Sequence, residues 1–169
     1  MKTLELIELI ARDWAAARPD LNPAPMLTVI SVNRVSDLLE RRLERFFADF
    51  ELTPSSYDVL ATLRRSAPAE GLSFSRLSEL MAITPPAVTK RVDILEARGL
   101  VERTAHTHDR RASLVRLTPT GLALVDRILP LHLTNEERLL SGLTEPERLQ
   151  LRTLLGQLAA HLEDGNEPS

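Results

Sequence analysis

The chain has no cysteine, which excludes a disulfide framework, a cysteine-based zinc site and a thiol redox sensor. Its six glycines are few, and none belongs to a phosphate-cradling loop. No apolar run approaches the roughly 20 residues that cross a bilayer. The opening MKTLELIELIARDW carries acids inside its apolar stretch and lacks a small-residue cleavage site, so it does not read as a secretory signal. A cytoplasmic location with no membrane partner is therefore expected. No Ser-His-Asp order or dense carboxylate pair is present. The scattered His106, His108, His132 and His161 make no ligand cluster by spacing, so neither an enzyme nor a metal or cofactor is expected.

What remains is an apolar content of 43% over 169 residues, enough for one core, either as a compact domain or as a domain with added helices. The net charge of −3 hides an uneven distribution. From Thr84 to Leu117 there are seven Lys/Arg against four Asp/Glu, a local +3, so the remainder carries −6. Affinity for phosphate follows the local patch, and an acidic remainder does not forbid it.

Helix starts are marked by Thr-Pro pairs. Thr53-Pro54, Thr84-Pro85 and Thr118-Pro119 each precede an amphipathic run, and Thr144-Glu145-Pro146-Glu147 adds a capping box. The spacing predicts helices over 2–17, about 26–48, 54–63, 74–81, from Thr84 to near Gly99, 119–141 and 145–163. Arg18 to Pro25 is a break, and Pro130 should kink its helix unless the break between the two C-terminal helices falls there. In the Thr84 helix, the Thr84 hydroxyl is expected to cap, and Pro85 suits the first position. Val88, Val92, Leu95 and, less strictly, Ile94 form an inward stripe, and Gly99 is the left-handed terminator. Residues 100–104 and 113–117 read as strands around a charged loop, His106 to Arg111. The eight intervening residues exceed a tight turn, so a protruding tip is expected. Leu72-Ser73-Phe74 can add a third strand.

A helix followed by a two-strand wing is how a winged helix-turn-helix presents itself to double-stranded DNA, although an ordinary helix plus hairpin has the same pattern. The fold expected is mainly α with a small β-wing. Residues in the first two turns of a recognition helix reach the groove floor, which nominates Thr84, Pro86, Ala87, Thr89 and Lys90. Thr89 can bond base or phosphate, Lys90 suits phosphate, and Pro86 and Ala87 suit a thymine methyl. Ser73 and Ser75 are phosphate candidates, and Arg110 a backbone contact. The long second helix and the C-terminal helices carry more apolar surface than a small DNA-binding module needs. A large monomer core would account for it. An intertwined homodimer formed from the two chain ends is preferred, because dimers bind paired half-sites. The expected division is 1–48 for the added and dimerisation helices, 49–118 for the DNA-binding lobe and 119–169 for the C-terminal dimerisation helices and tail.

These motifs, in order, are Leu52 to Leu60, Leu77-Ser78-Glu79-Leu80, Val88 to Arg103, Asp109-Arg110-Arg111 and Leu117-Thr118-Pro119-Thr120-Gly121. The set resembles the MarR family of bacterial transcriptional regulators over nearly the whole chain. The resemblance implies a homodimer with two winged-helix lobes. It also implies a wing tip in which Arg111 enters the minor groove and Asp109 holds it in place. The extra N-terminal helix with Trp14, the Arg18-Pro19-Asp20-Leu21 break, Asp58 to Arg65 and Leu129-Pro130 look like the urate-responsive branch of that family. That narrower resemblance implies a ligand site served by Trp14, Asp58, Arg91 and Arg103. An indole supplies a stacking face for a flat purine anion, and an arginine supplies planar paired donors. An Asp58–Arg91 ion pair would link the pocket to the recognition helix, and an arriving anion would displace Asp58. Taken singly, Trp14 is more often a packing anchor, Asp58 could be a helix-start acid, and Arg91 and Arg103 could be phosphate contacts or surface charges. A phenolic or metal effector, or a winged-helix module that binds protein instead of DNA, are the alternatives.

Overall fold

The computed structural model describes residues 2–105 and 113–165. Its elements follow the proline punctuation: α1 (Thr3–Ala17), α2 (Ala24–Ala48), α3 (Pro54–Ser66), β1 (Leu72–Ser73), α4 (Phe74–Met81), α5 (Pro85–Ala97), β2 (Val101–Ala105), β3 (Ser113–Leu117), α6 (Pro119–Leu139) and α7 (Glu145–Glu163). The Thr53 hydroxyl caps α3 by accepting from the Ser56 N–H at 3.1 Å. Thr118 does the same for Gly121 at the start of α6, at 3.0 Å. At α7 the Thr144 hydroxyl and N–H both donate to Glu147, and these bonds hold its carboxyl below the usual carboxylate range.

Thr84 departs from this pattern. It occupies the N-cap of α5, but its hydroxyl caps nothing. Pro85 and Pro86 remove the first two N–H groups of the helix, and the next, on Ala87, bonds the Thr84 carbonyl at 3.0 Å. The third-position N–H that serves the Thr53 and Thr118 caps is thus present at Ala87, and it goes to the Thr84 carbonyl and not to the hydroxyl. Helix α2 begins at Ala24, earlier than periodicity suggests, because Asn22 Oδ1 accepts from the Ala24 N–H at 3.0 Å. Helix α6 runs through Pro130 as one element.

Three helices, α2, α4 and α5, end in the same paired-bond motif. At α5 the Leu100 N–H bonds Leu95 O at 3.0 Å and the Gly99 N–H bonds Glu96 O at 2.8 Å, with Gly99 left-handed at φ 66°. At α2 the Leu52 N–H bonds Phe47 O at 3.0 Å and the Glu51 N–H bonds Ala48 O at 2.9 Å. There the left-handed position is filled by Glu51, at φ 56°, a conformation that costs a side-chain-bearing residue about 1–2 kcal/mol.

By its contacts the chain divides into two units, one ending at Asp126 and one beginning at Arg127. In the first, three antiparallel strands in the order β1-β3-β2 place Val115 between Leu72 and Arg103. The core of this unit comprises Phe47, Leu60, Leu63, Leu77, Val88, Val92, Leu95, Val101 and Val115, all fully buried. Phe47 stacks on Tyr57 with ring centroids 4.6 Å apart, which seats the end of α2 on this core. Ile94 does not join the inward stripe; it is 47% exposed, since its neighbours Val92 and Leu95 already occupy the buried arc of α5. In the second unit the Arg148 guanidinium bonds the Leu140 and Leu143 carbonyls at 3.2 and 3.0 Å and Glu137 at 2.7 Å, closing the α6–α7 turn.

The apolar chain ends are only partly covered. Phe47, Val125 and Ile128 are buried, whereas Val29, Leu38, Leu39, Leu131, Leu151, Leu154, Leu155 and Leu158 are exposed. Helices α1 and α7 contain no buried residue.

Gly121 fixes where α6 leaves the wing. A Cβ at this position would lie 1.9 Å from the Leu100 carbonyl oxygen, itself bonded by the Thr118 N–H at 3.1 Å. Gly121→Ala is expected to lower unfolding stability by about 3 kcal/mol or more. Urea denaturation measures this, and an unchanged midpoint would contradict the close approach.

Candidate nucleic-acid interface

The helix-turn-helix is built from α4, a left-handed turn and α5. Ser73 caps α4 by accepting from the Arg76 N–H at 3.2 Å, and its hydroxyl lies 3.1 Å from that of Ser75. Helix α4 stops at Ala82, left-handed at φ 51°. The Ile83 N–H then bonds Ser78 O at 3.1 Å, and the Ser78 hydroxyl donates back to the Ile83 carbonyl. This reciprocal pair sets the angle at which α5 departs.

Val88, Val92 and Leu95 anchor α5 in the core, so its opposite side must face outward. Thr84, Pro86, Thr89 and Lys90 are exposed there, and Ala87 is half-buried. The Thr89 hydroxyl donates to the Pro85 carbonyl at 3.1 Å. Lys90 makes no ion pair among the described residues. Ser73 is half-buried and Ser75 exposed at the start of α4, where first-turn N–H groups have no helical partner. Asp109, Arg110 and Arg111, with His106 and His108, lie outside the described residues.

The arginines of the lobe divide sharply by partner. Arg116 bonds Glu102 at 2.8 Å, and Arg64 bonds Asp126 at 2.7 Å, which raises the Arg64 pKa above its ordinary value. Arg98 reaches backbone carbonyls at the end of α2. Arg103, on β2, is held by two carboxylates of α5. One guanidinium nitrogen lies 3.0 Å from Glu96, the other bonds Asp93, and its backbone N–H donates to Glu96 at 3.3 Å. Its guanidinium also sits 5.4 Å from the centre of the Phe74 ring.

These contacts alter the expected ligand site. Asp58 and Arg91 form no ion pair with each other, although α3 packs on α5. Both side chains are half-exposed, where water solvates each charge and pairing gains little. Arg103 instead lines an open cleft of about 520 Å³ together with Ser73, Phe74, Ser75, Thr89, Asp93 and Ser113. Neither Trp14, Asp58 nor Arg91 lines it, and Trp14 stands 38% exposed on α1. The structure thus joins Arg103 to the DNA candidates Ser73, Ser75 and Thr89, and separates it from the other three ligand candidates. Sequence reasoning missed Phe74, Asp93 and Glu96 as its partners. Two acids spaced i,i+3 on an otherwise basic recognition helix were the available signal, since such a pair repels itself unless a cation lies between.

No three His, Cys, Asp or Glu side chains converge into a metal-binding group among the described residues. No helix among them is long and apolar enough to cross a membrane.

Comparison with known proteins matches the MarR family profile to residues 50–112. The HTH-type transcriptional regulator PecS of Dickeya dadantii is 37% identical over 153 residues, covering 90% of this chain and 92% of PecS. AbsC, a MarR family transcriptional regulator from Streptomyces coelicolor, has a similar structure with a TM-score of 0.76 at 25% identity, covering 85% of this chain and 97% of AbsC. MepR of S. aureus, solved as a DNA complex, has a TM-score of 0.71 at 22% identity, covering 77% of this chain and 94% of MepR, a likeness of fold.

Arg103→Ala leaves Asp93 and Glu96 without their shared cation. With the side chain 33% exposed and the pairs screened by water, the expected loss is about 1 kcal/mol. Combining it with Asp93→Asn should recover part of that loss. Strict additivity in a denaturation cycle would show that the charges do not interact.

Proposed function

Since the chain belongs to the MarR family of HTH-type transcriptional regulators, we propose that it is a ligand-responsive regulator that binds a pseudo-palindromic operator as a homodimer in the cytoplasm and is released by urate or a related purine or small anionic metabolite. The observation that carries the DNA-binding part is the outer face of α5. Lys90 and Arg91 are left without a carboxylate among the described residues, while Arg64, Arg103 and Arg116 are neutralised. A positive charge that no internal acid claims is available to a phosphate. Thr84, Pro86, Ala87 and Thr89 would meet base edges, and Ser73 and Ser75 would meet phosphate. Asp109, Arg110 and Arg111 would form the wing tip. The DNA complex of MepR supports this mode of use for the shared fold.

The homodimer reading rests on α1, α2 and α7, whose exposed leucines and valines exceed what scattered surface residues require. Residues 1–48 and 119–169 would meet a second copy, and residues 49–118 would form each DNA-binding lobe.

The effector reading rests on the resemblance of Trp14, Asp58, Arg91 and Arg103 to the urate-responsive pattern. Displacement of Asp58 from Arg91 by an arriving anion has no pair to break in this structure. An anion that engages Arg103 must instead compete with Asp93 and Glu96, which belong to the recognition helix. The ligand favours release only by binding the non-DNA arrangement more tightly.

In a gel shift on the protein's own upstream region, Lys90→Ala should weaken binding about tenfold and reduce the slope of log affinity against log salt by about one. An unchanged slope would remove Lys90 from the phosphate contacts. Arg111→Ala should abolish or greatly weaken binding without unfolding the protein; unchanged affinity would sink the wing assignment. Urate or a related purine should quench Trp14, the single tryptophan, and release the DNA. Absence of both effects across a purine panel would reject the effector class and leave the DNA-binding reading standing.

A further inference from the structure

Helix α5 ends at Arg98, whose side chain crosses to the end of α2. One guanidinium nitrogen donates to the Glu51 carbonyl. The other lies 3.5 Å from both the Phe50 carbonyl and the Glu51 carboxylate. The side chain is 31% exposed, and Glu51 on the other side of the pair is 89% exposed. The carboxylate is therefore the weaker partner, and the backbone carbonyls matter more.

We infer that Arg98 is a positioning residue for DNA binding, which ties the C-terminal end of α2 to the C-terminal end of the recognition helix. Its place suits a cation on two counts. Both helix ends present partly negative carbonyls, and a charge lodged between them is favoured by each dipole. The turn it grips is held by bonds to Phe47 and Ala48 and carries Glu51 in a left-handed conformation, and the Phe50 and Glu51 carbonyls lie past the last residue of α2. A planar fork can hold two such acceptors at a fixed angle, whereas an ammonium cannot.

The link has a direction of use. Phe47 pins α2 to the core from inside, stacked on Tyr57, and Arg98 pins the same turn from outside. A tilt of α2 therefore pulls on the last turn of α5 through a charge-assisted bond as well as through packing. The opposite end of α5 carries the exposed Thr84, Pro86, Thr89 and Lys90. The inference rests on the DNA-binding reading for its functional meaning, but the α2–α5 coupling itself does not.

The test has two arms. In the first, Arg98→Ala, Arg98→Lys and Glu51→Gln are titrated against the protein's own upstream DNA well below their melting temperatures, over a range of salt. Arg98→Ala should bind about tenfold more weakly with the salt slope of the wild type, because no phosphate contact is lost. Arg98→Lys should recover part of that loss, and Glu51→Gln should match the wild type. Unchanged affinity in Arg98→Ala, or a slope reduced by about one, overturns the inference. In the second arm, hydrogen exchange is followed without DNA. Arg98→Ala should lose protection together at Glu51–Leu52 and Gly99–Leu100, and loss confined to one of the two turns overturns the coupling. A wild type that fails to bind DNA defeats the DNA-binding reading, and the exchange arm still decides whether α2 and α5 are coupled.

Discussion

The Leu100 carbonyl is the point on which the lobe depends. It follows the left-handed Gly99 that ends the recognition helix, begins the β2 side of the wing, accepts from Thr118 at the end of β3 and lies against Gly121 in the first turn of α6. The Thr118 hydroxyl adds a bond to the Gly99 carbonyl at 2.7 Å. Four elements thus take their relative placement from two adjacent peptide groups. A methyl group has no room there, so the glycine is a requirement of close approach and not of flexibility, whereas Gly99 is required for its positive φ.

Around that junction, the cations have separate duties according to what surrounds them. Arg103 is surrounded by two acids and a ring, and it fastens the wing to α5. Arg98 faces carbonyls and fastens α5 to α2. Lys90 and Arg91 face neither. Among the described residues the lobe can therefore concentrate its free positive charge on one helix face, because Arg64, Arg76, Arg98, Arg103 and Arg116 have internal partners.

Much of this was legible in the sequence because it is local. Thr-Pro pairs announce helix starts through the chemistry of one turn, Gly99 announces an end, and valines at helical spacing announce a buried face. The errors are of two kinds. Ile94 was misassigned by applying a local rule without its neighbours, since Val88, Val92 and Leu95 take the buried arc of α5; the Thr84 hydroxyl was misassigned because the Ala87 N–H that could reach it bonds the Thr84 carbonyl instead. The Asp58–Arg91 pair failed for a different reason. Ion pairs between elements depend on angstrom-scale placement that no periodicity encodes, and Arg103 found Asp93 and Glu96 on the helix just before its strand and Phe74 on α4, farther back in the chain. The family resemblance located the arginine but not its partners.

The Thr89 hydroxyl spends its hydrogen on the Pro85 carbonyl. What it shows to the outside is a pair of lone pairs and a methyl group. A residue that sequence alone treats as both donor and acceptor thus becomes one-sided in the folded helix, complementary to an amino group on a base edge or to a thymine methyl, and poorly matched to a phosphate oxygen. The hydrogen-bonding character of a groove-facing side chain is in this way set by the helix it sits on before any nucleic acid arrives.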